Sequence, residues 1–258
     1  MDKQNEGTTL TEQAFWDDYW RNCQVPAGID RTFSFDRCLA TQLAKSLANT
    51  RGTVLEIGCA PGKWLAFFAK ELGLTPSGIE YSSVGIEVTK QNLRLQGIAF
   101  ESFWQGDFFD LPPQPFDVVS SFGFIEHFSD PLAVVERHVA WVKPGGLLVL
   151  GVPNFRGIYY PLQKALDVSV LEKHNLAVME PTFFQDCAQR FGLKVDFLGY
   201  LGSFEPSLPI AKARVENTPQ FLAKSFIWAA RRLRRFSFWD QVNHPLISSY
   251  LLAVLRKE

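Results

Sequence analysis

The pair Glu126-His127 in "SSFGFIEHF" and His174 in "LEKHNLAVMEP" are the side chains best suited to moving a proton. An imidazole titrates near neutral pH, and a neighbouring carboxylate can orient it or raise its basicity. Three further acids, Glu56 in "VLEIGCAPGKW", Glu80 in "PSGIEY" and Asp107 in "WQGDFF", each stand where an apolar run stops. A carboxylate at the end of a strand can accept two hydrogen bonds from a ribose diol or one from an adenine amino group. Glycines follow the first acid, and glycine after a strand marks a place where something approaches the backbone closely.

The elements that would position these groups follow from periodicity. "LTEQAFWDDYWRN" and "FDRCLATQLAKSLA" read as helices. From residue 53 to 154 strand and helix alternate: "TVLEIG", "WLAFFAKELG", "PSGIEY", "SVGIEVTKQNLRLQG", "FESFWQGD", then "FDVVSSFGF" (116–124), "PLAVVERHVAWV" and "LLVLGVPN". This alternation predicts a doubly wound α/β sheet with ligands at the carboxyl ends of its strands. After Asn154 the pattern reads as irregular and aromatic up to 180. A helix (180–192), the strand "LKVDFLGYLG", an insertion at about 203–244 and a last strand "SSYLLAVLRK" follow.

Composition narrows the classes. The chain has 258 residues, 47% apolar, with net charge −1. That suffices for one domain with a substantial core and supplies no global attraction to nucleic acid. Its four cysteines show no metal or redox spacing, its first residues are polar, and its longest apolar run, "LLVLGVP", is too short for a bilayer. A cytoplasmic protein is expected.

The glycine loop excludes two ligands. A phosphate-binding P-loop needs four residues between its glycines and then Lys-Ser/Thr, but Gly58 and Gly62 are separated by three and Trp64 follows Lys63. A dinucleotide fingerprint needs glycine at the positions of Gly58, Ala60 and Lys63, and only the first matches. What stays open is an acid at a strand end followed by a tight turn of small residues.

Taken together, Glu56-x-Gly58-x-x-x-Gly62, Glu80, Asp107, "FDVVSSFGFIEHF" and "VKPGGLLVLGVPN" resemble the class I S-adenosylmethionine-dependent methyltransferases, in particular a small-molecule branch of the ubiquinone-biosynthesis type. The resemblance covers residues 50–155 closely and 10–50 and 180–200 loosely. It implies a seven-stranded, mostly parallel Rossmann-like sheet with one antiparallel strand near its edge. It also implies one domain over 1–258: N-terminal helices to residue 50, a cofactor-binding core over 51–155 and an acceptor-side region over 156–258. S-adenosyl-L-methionine is the implied cofactor. Glu56 and the Gly58–Gly62 turn, with Cys59 and Ala60, would sit against its methionine part and ribose. Glu80 with Tyr81 would take the ribose hydroxyls, Asp107 the adenine amino group, and Phe108 and Ser121 would lie beside them.

The acceptor side is implied less fully. Glu126, His127 and His174 are the candidate catalytic groups, Trp16, Tyr19 and Trp20 a candidate flap, and Phe155, Tyr159 and Tyr160 a candidate wall for a small, aromatic or lipid-linked acceptor. His138 is expected on a helix surface, and His244 has no assigned role. Some relatives carry Glu-x-x-Glu-His and bind a divalent ion. Here Gly123 stands at the first acid, so no metal is expected and activity should not need one. The turn G-x-A-P-G-x-W also occurs in RNA ribose 2′-O-methyltransferases. Those need an Asp just after the fourth strand, where this chain has "SSFGFIEHF", so nucleic acid is not the expected partner. A non-catalytic protein that binds S-adenosylmethionine is the alternative from another class. The basic stretch 221–239, "FLAKSFIWAARRLRRFSFW", has the pattern of a helix lying on an anionic bilayer or of a lid.

Overall fold

The computed structural model describes residues 9–205, 208, 225, 228, 229, 232 and 240–258. Most of the 203–244 insertion and of the basic stretch 221–239 lies outside the described residues.

Seven strands form one sheet in the order β3-β2-β1-β4-β5-β7-β6. They are β1 (Thr53–Ile57), β2 (Thr75–Glu80), β3 (Phe103–Gln105), β4 (Phe116–Phe122), β5 (Val142–Pro153), β6 (Leu193–Leu201) and β7 (Tyr250–Lys257). β1 to β5 pair in parallel, and β7 runs antiparallel between β5 and β6. Both faces are covered, so the central strands are apolar on successive residues rather than on alternate ones. Leu55, Val119 and Leu148 join one core layer, while Val54, Val118, Leu147 and Val149 join the other. The order turns back between β1 and β4, and the crevice at such a point is where ligands settle in sheets of this kind.

Eight helices are described: α1 (Gln13–Arg21), α2 (Ser34–Ser46), α3 (Lys63–Leu72), α4 (Ser83–Leu95), α5 (Pro131–Trp141), α6 (Tyr159–Leu166), α7 (Val168–Glu172) and α8 (Pro181–Phe191). Local chemistry sets their ends. α3 starts after Gly62 (φ 81°) and stops at Gly73 (φ 68°), both left-handed. The Ser82 side chain accepts from Gly85 N and caps α4, and the Asp130 side chain accepts from Ala133 N ahead of Pro131 in α5. No described helix is long and apolar enough to cross a membrane.

Three expectations change. "FESFWQGD" yields only the short strand β3, because as an edge strand it pairs with β2 alone, over Gly78–Glu80. Residues 155–180 are not irregular: α6, α7 and a 3₁₀ turn at Leu176–Met179 fill them. The buried face of α6 is Tyr159 and Gln163, a ring and an amide, so no apolar period marks it. His138 is fully buried rather than on the surface, because Val134, His138 and Trp141 share the face of α5 that meets the sheet.

Candidate active site

The parallel strands deliver their last residues to one edge of the sheet. Gly58 follows β1 with φ 71°, and a Cβ there would lie 2.7 Å from the Phe124 ring. Only glycine fits both the backbone and the space. Gly58 N and Cys59 N donate to Ile79 O at 2.9 and 3.2 Å, which docks this turn on β2. Glu80 closes β2, and its carboxylate accepts from Ala60 N at 3.2 Å and from Ser82 N at 2.9 Å. Burial pushes this carboxyl up to about 6, against the pull of those N–H groups. After β3, Asp107 is exposed and accepts from Phe109 N, while Phe108 is buried against Phe124 and His138.

Gly58, Ala60, Glu80, Tyr81, Asp107 and Phe108 all line one cavity of about 340 Å³, within the usual range for a small-molecule site. Four of the other expected residues lie behind the wall. Cys59 is fully buried against Gly78. Gly62 serves the turn itself, donating to Cys59 O at 2.7 Å and starting α3. The Ser121 hydroxyl faces His138 Nε2 at 3.1 Å instead of the cavity, and His138 Nδ1 donates to Val134 O. Desolvation lowers the His138 imidazole to about 4, so it stays neutral beneath Phe108. Glu56 is also buried short of the lining. Burial holds its carboxyl well above the usual range, and no described residue bonds its Oε2.

The far end of the cavity carries the imidazoles. Glu126 and His127 sit on a short 3₁₀ turn after β4, and His174 follows α7. All three are buried, yet all line the cavity. His127 Nδ1 lies 2.8 Å from Lys173 O, and His174 Nδ1 lies 2.5 Å from Val170 O. A carbonyl only accepts, so each neutral ring carries its proton on Nδ1 and keeps the lone pair on Nε2. The rings stand 4.6 Å apart, and Glu126 Oε1 lies 3.9 Å from His127 Nε2. One ligand atom from each of the three falls within 4.8 Å of the others, close enough to share a proton network or one cation.

α1 contributes to the lining. Trp16, Tyr19 and Trp20 line the cavity, with Trp16 edge-on to His127 at 5.3 Å and stacked on Trp20. The segment is latched at both ends of the cavity. Leu10 N donates to His127 O, while Gln13 Nε2 donates to Tyr81 O and Ser82 Oγ to Asp17 Oδ1. Trp20 Nε1 is buried without a partner among the described residues. Of the expected wall only Phe155 lines the cavity. Tyr159 donates instead to Ile247 O and accepts from Glu205 N, and Tyr160 is 43% exposed. His244 is spent on a turn, accepting from Leu246 N.

Sequence reasoning missed Phe35, Trp64, Phe122 and Tyr250, which also line the cavity. For Tyr250 a signal existed. An antiparallel strand in an otherwise parallel sheet begins at the edge where the others end. Among the described residues, no lysine or arginine lines the cavity.

Comparison with known proteins agrees with this fold. A curated ubiquinone biosynthesis O-methyltransferase of Thiobacillus denitrificans is 34% identical over 103 residues, covering 39% of this chain and 44% of that protein. The methyltransferase GfsG of Streptomyces halstedii is 29% identical over 143 residues, covering 54% and 50%. The chain thus spans about half the length of the curated relatives it matches. A solved phosphoethanolamine N-methyltransferase 2 of Haemonchus contortus, in complex with S-adenosyl-L-methionine, superposes with a TM-score of 0.55 at 18% identity, over 86% of this chain and 52% of that one. At that identity the likeness concerns the fold. The model of the methyltransferase domain family matches residues 31–197, well over half of the chain, and the chain belongs to that family.

Proposed function

We propose that this protein transfers a methyl group from S-adenosylmethionine to an oxygen or nitrogen of a small molecule, in the manner of the ubiquinone-biosynthesis-type relatives. One observation carries the reading: a single cavity joins an acid-tipped strand edge to a buried Glu126-His127-His174 cluster. The residues suit such a cofactor. Glu80 and Asp107 offer acceptors for hydroxyl and amino groups, Phe108 offers a face for a base, and the buried Trp20 indole N–H offers a donor. The absence of lysine and arginine from the described lining disfavours a phosphate-bearing cofactor.

When bound, S-adenosylmethionine supplies a methyl group on a sulfonium, already activated. The protein's task is then alignment and water exclusion, and alignment alone contributes up to about 7–11 kcal/mol. The aromatic face of α1 excludes water. His127 or His174, each oriented by a carbonyl at Nδ1, accepts the proton of a hydroxyl acceptor at Nε2, and Glu126 steadies the resulting imidazolium. This scheme needs no metal. The four free cysteines suit a reducing, cytoplasmic setting.

The test is incubation of methyl-labelled S-adenosylmethionine with an extract of the source cells, then separation into small-molecule, lipid, protein and RNA fractions. Label in small molecules is the expected result. Label in lipid would extend the reading to a membrane-borne acceptor and give the basic stretch 221–239 a role. Label in RNA would overturn it. Cofactor binding without any label would favour a regulatory, non-catalytic protein.

A further inference from the structure

Tyr250 opens β7, the one antiparallel strand, and so stands at the edge where β1 to β5 end. It pairs with Pro153 at the end of β5 and with Leu201 at the end of β6. It is buried, 6% exposed, and what it exposes faces the cavity. Its ring lies across β5 at Gly151. A Cβ on Gly151 would meet Tyr250 Cε1 at 2.6 Å, the hydroxyl oxygen at 2.7 Å and Phe122 Cδ1 at 2.9 Å. Gly151 is therefore the gap through which the phenol reaches the end of β4. Glu126 approaches the same place, since its Oε1 would lie 3.5 Å from a Cβ on Gly123.

The electrostatics of this spot keep the hydroxyl intact. Burial and the carboxyls of Glu126 and Glu56 hold the phenol well above its usual range, against a smaller pull from the Gly123 N–H. A phenol that keeps its proton is a hydrogen-bond donor. Tyr250 also packs edge-on against Phe35, with ring centroids 4.9 Å apart.

We propose that the Tyr250 hydroxyl, reaching over Gly151 to the Glu126 side of the cavity, donates a hydrogen bond to the acceptor substrate and orients the atom that takes the methyl group. This rests on the methyl-transfer reading. It adds β7 to the acceptor end, beside the loop that carries Glu126 and His127 and the turn that carries His174.

Tyr250→Phe removes the oxygen and leaves the ring. Three quantities are measured on the whole chain: S-adenosylhomocysteine affinity by calorimetry, the thermal midpoint of the ligand-free protein, and the rate of label transfer to the small-molecule fraction of cell extract at limiting acceptor. The expected result is affinity within twofold of wild type, an unchanged midpoint, and transfer lowered about tenfold, the worth of one hydrogen bond. Three results would overturn the proposal. A parallel fall in S-adenosylhomocysteine affinity would assign the hydroxyl to the cofactor. A lowered midpoint would mean that it is bonded within the fold. Unchanged transfer would leave only ring packing. Failure of the wild type to transfer label at all would sink the methyl-transfer reading itself, and this inference with it.

Discussion

The two ends of the cavity are built from different kinds of sequence. At the acidic end the lining comes from strand tips between Gly58 and Phe108, and Glu80 is held by N–H groups of the two adjoining turns. At the imidazole end, Trp16, His127, Phe155, His174 and Tyr250 converge from most of the chain's length. The two imidazoles are held there by carbonyls of one segment, Val170 O and Lys173 O. Consecutive βα units build the first end almost unaided. The second exists only once the sheet, α1 and the 155–179 region have all docked.

If the two ends divide binding from chemistry, their substitutions must separate. Replacing His127 or His174 by Ala should lower methyl transfer by about 10²–10⁴ for whichever is the base, with S-adenosylhomocysteine affinity unchanged. An equal loss of affinity would erase the division.

His138 supports the acidic end from behind, so its replacement should act on stability instead. Its folded value near 4 lies below the usual 6.5, so unfolding takes up a proton between those values. The neutral imidazole therefore contributes stability above pH 6.5 that is lost as pH falls towards 4, on the order of 3 kcal/mol. Denaturant titrations at pH 7.5 and 4.5 should show that loss in wild type and a flatter profile in His138→Gln.

Glu80→Ala should weaken S-adenosylhomocysteine binding ten- to a hundredfold, about 1.5–3 kcal/mol. The wild-type affinity should also fall as pH drops below about 6, where this carboxyl protonates, and should stay flat in Glu80→Gln. Stability of the ligand-free protein has the opposite sign. The raised carboxyl favours the fold at low pH, and the cost of burying its charge grows to about 2 kcal/mol as pH rises from 4.5 through 6. Glu80→Gln should therefore raise the thermal midpoint at pH 8 and leave it unchanged near pH 4.5.

The smallest effect expected is that of a chelator. Transfer should persist in excess EDTA; reversible loss would recast Glu126, His127 and His174 from proton-handling groups into ligands of an ion.

This contrast explains what could be read in advance. The sheet, its ligand edge and the roles of Gly58, Glu80 and Asp107 as strand-end groups follow from short-range spacing, which a βα repeat preserves. Ser121 departs from its expected place because alternation along β4 does not tell which face meets α5, and its deciding partner, His138, carries no local sign of burial. Tyr159 and Tyr160 looked like cavity rings because they follow β5, yet α6 turns one onto Ile247 and Glu205 and the other to solvent. Phe35 and Trp64 carry no local mark, and the sign for Tyr250 is readable only once β7 is known to run antiparallel. Their place depends on which strands and helices become neighbours, and that is a property of the assembled sheet.

α1 has one more consequence. The same segment is fastened to Tyr81 and Ser82 beside Glu80 and to the backbone of His127. A ligand that steadies this segment from either end lessens the ordering that the other must bring about. Linkage then requires the enhancement to be mutual: whatever factor the nucleoside partner adds to acceptor affinity, the acceptor adds to its own.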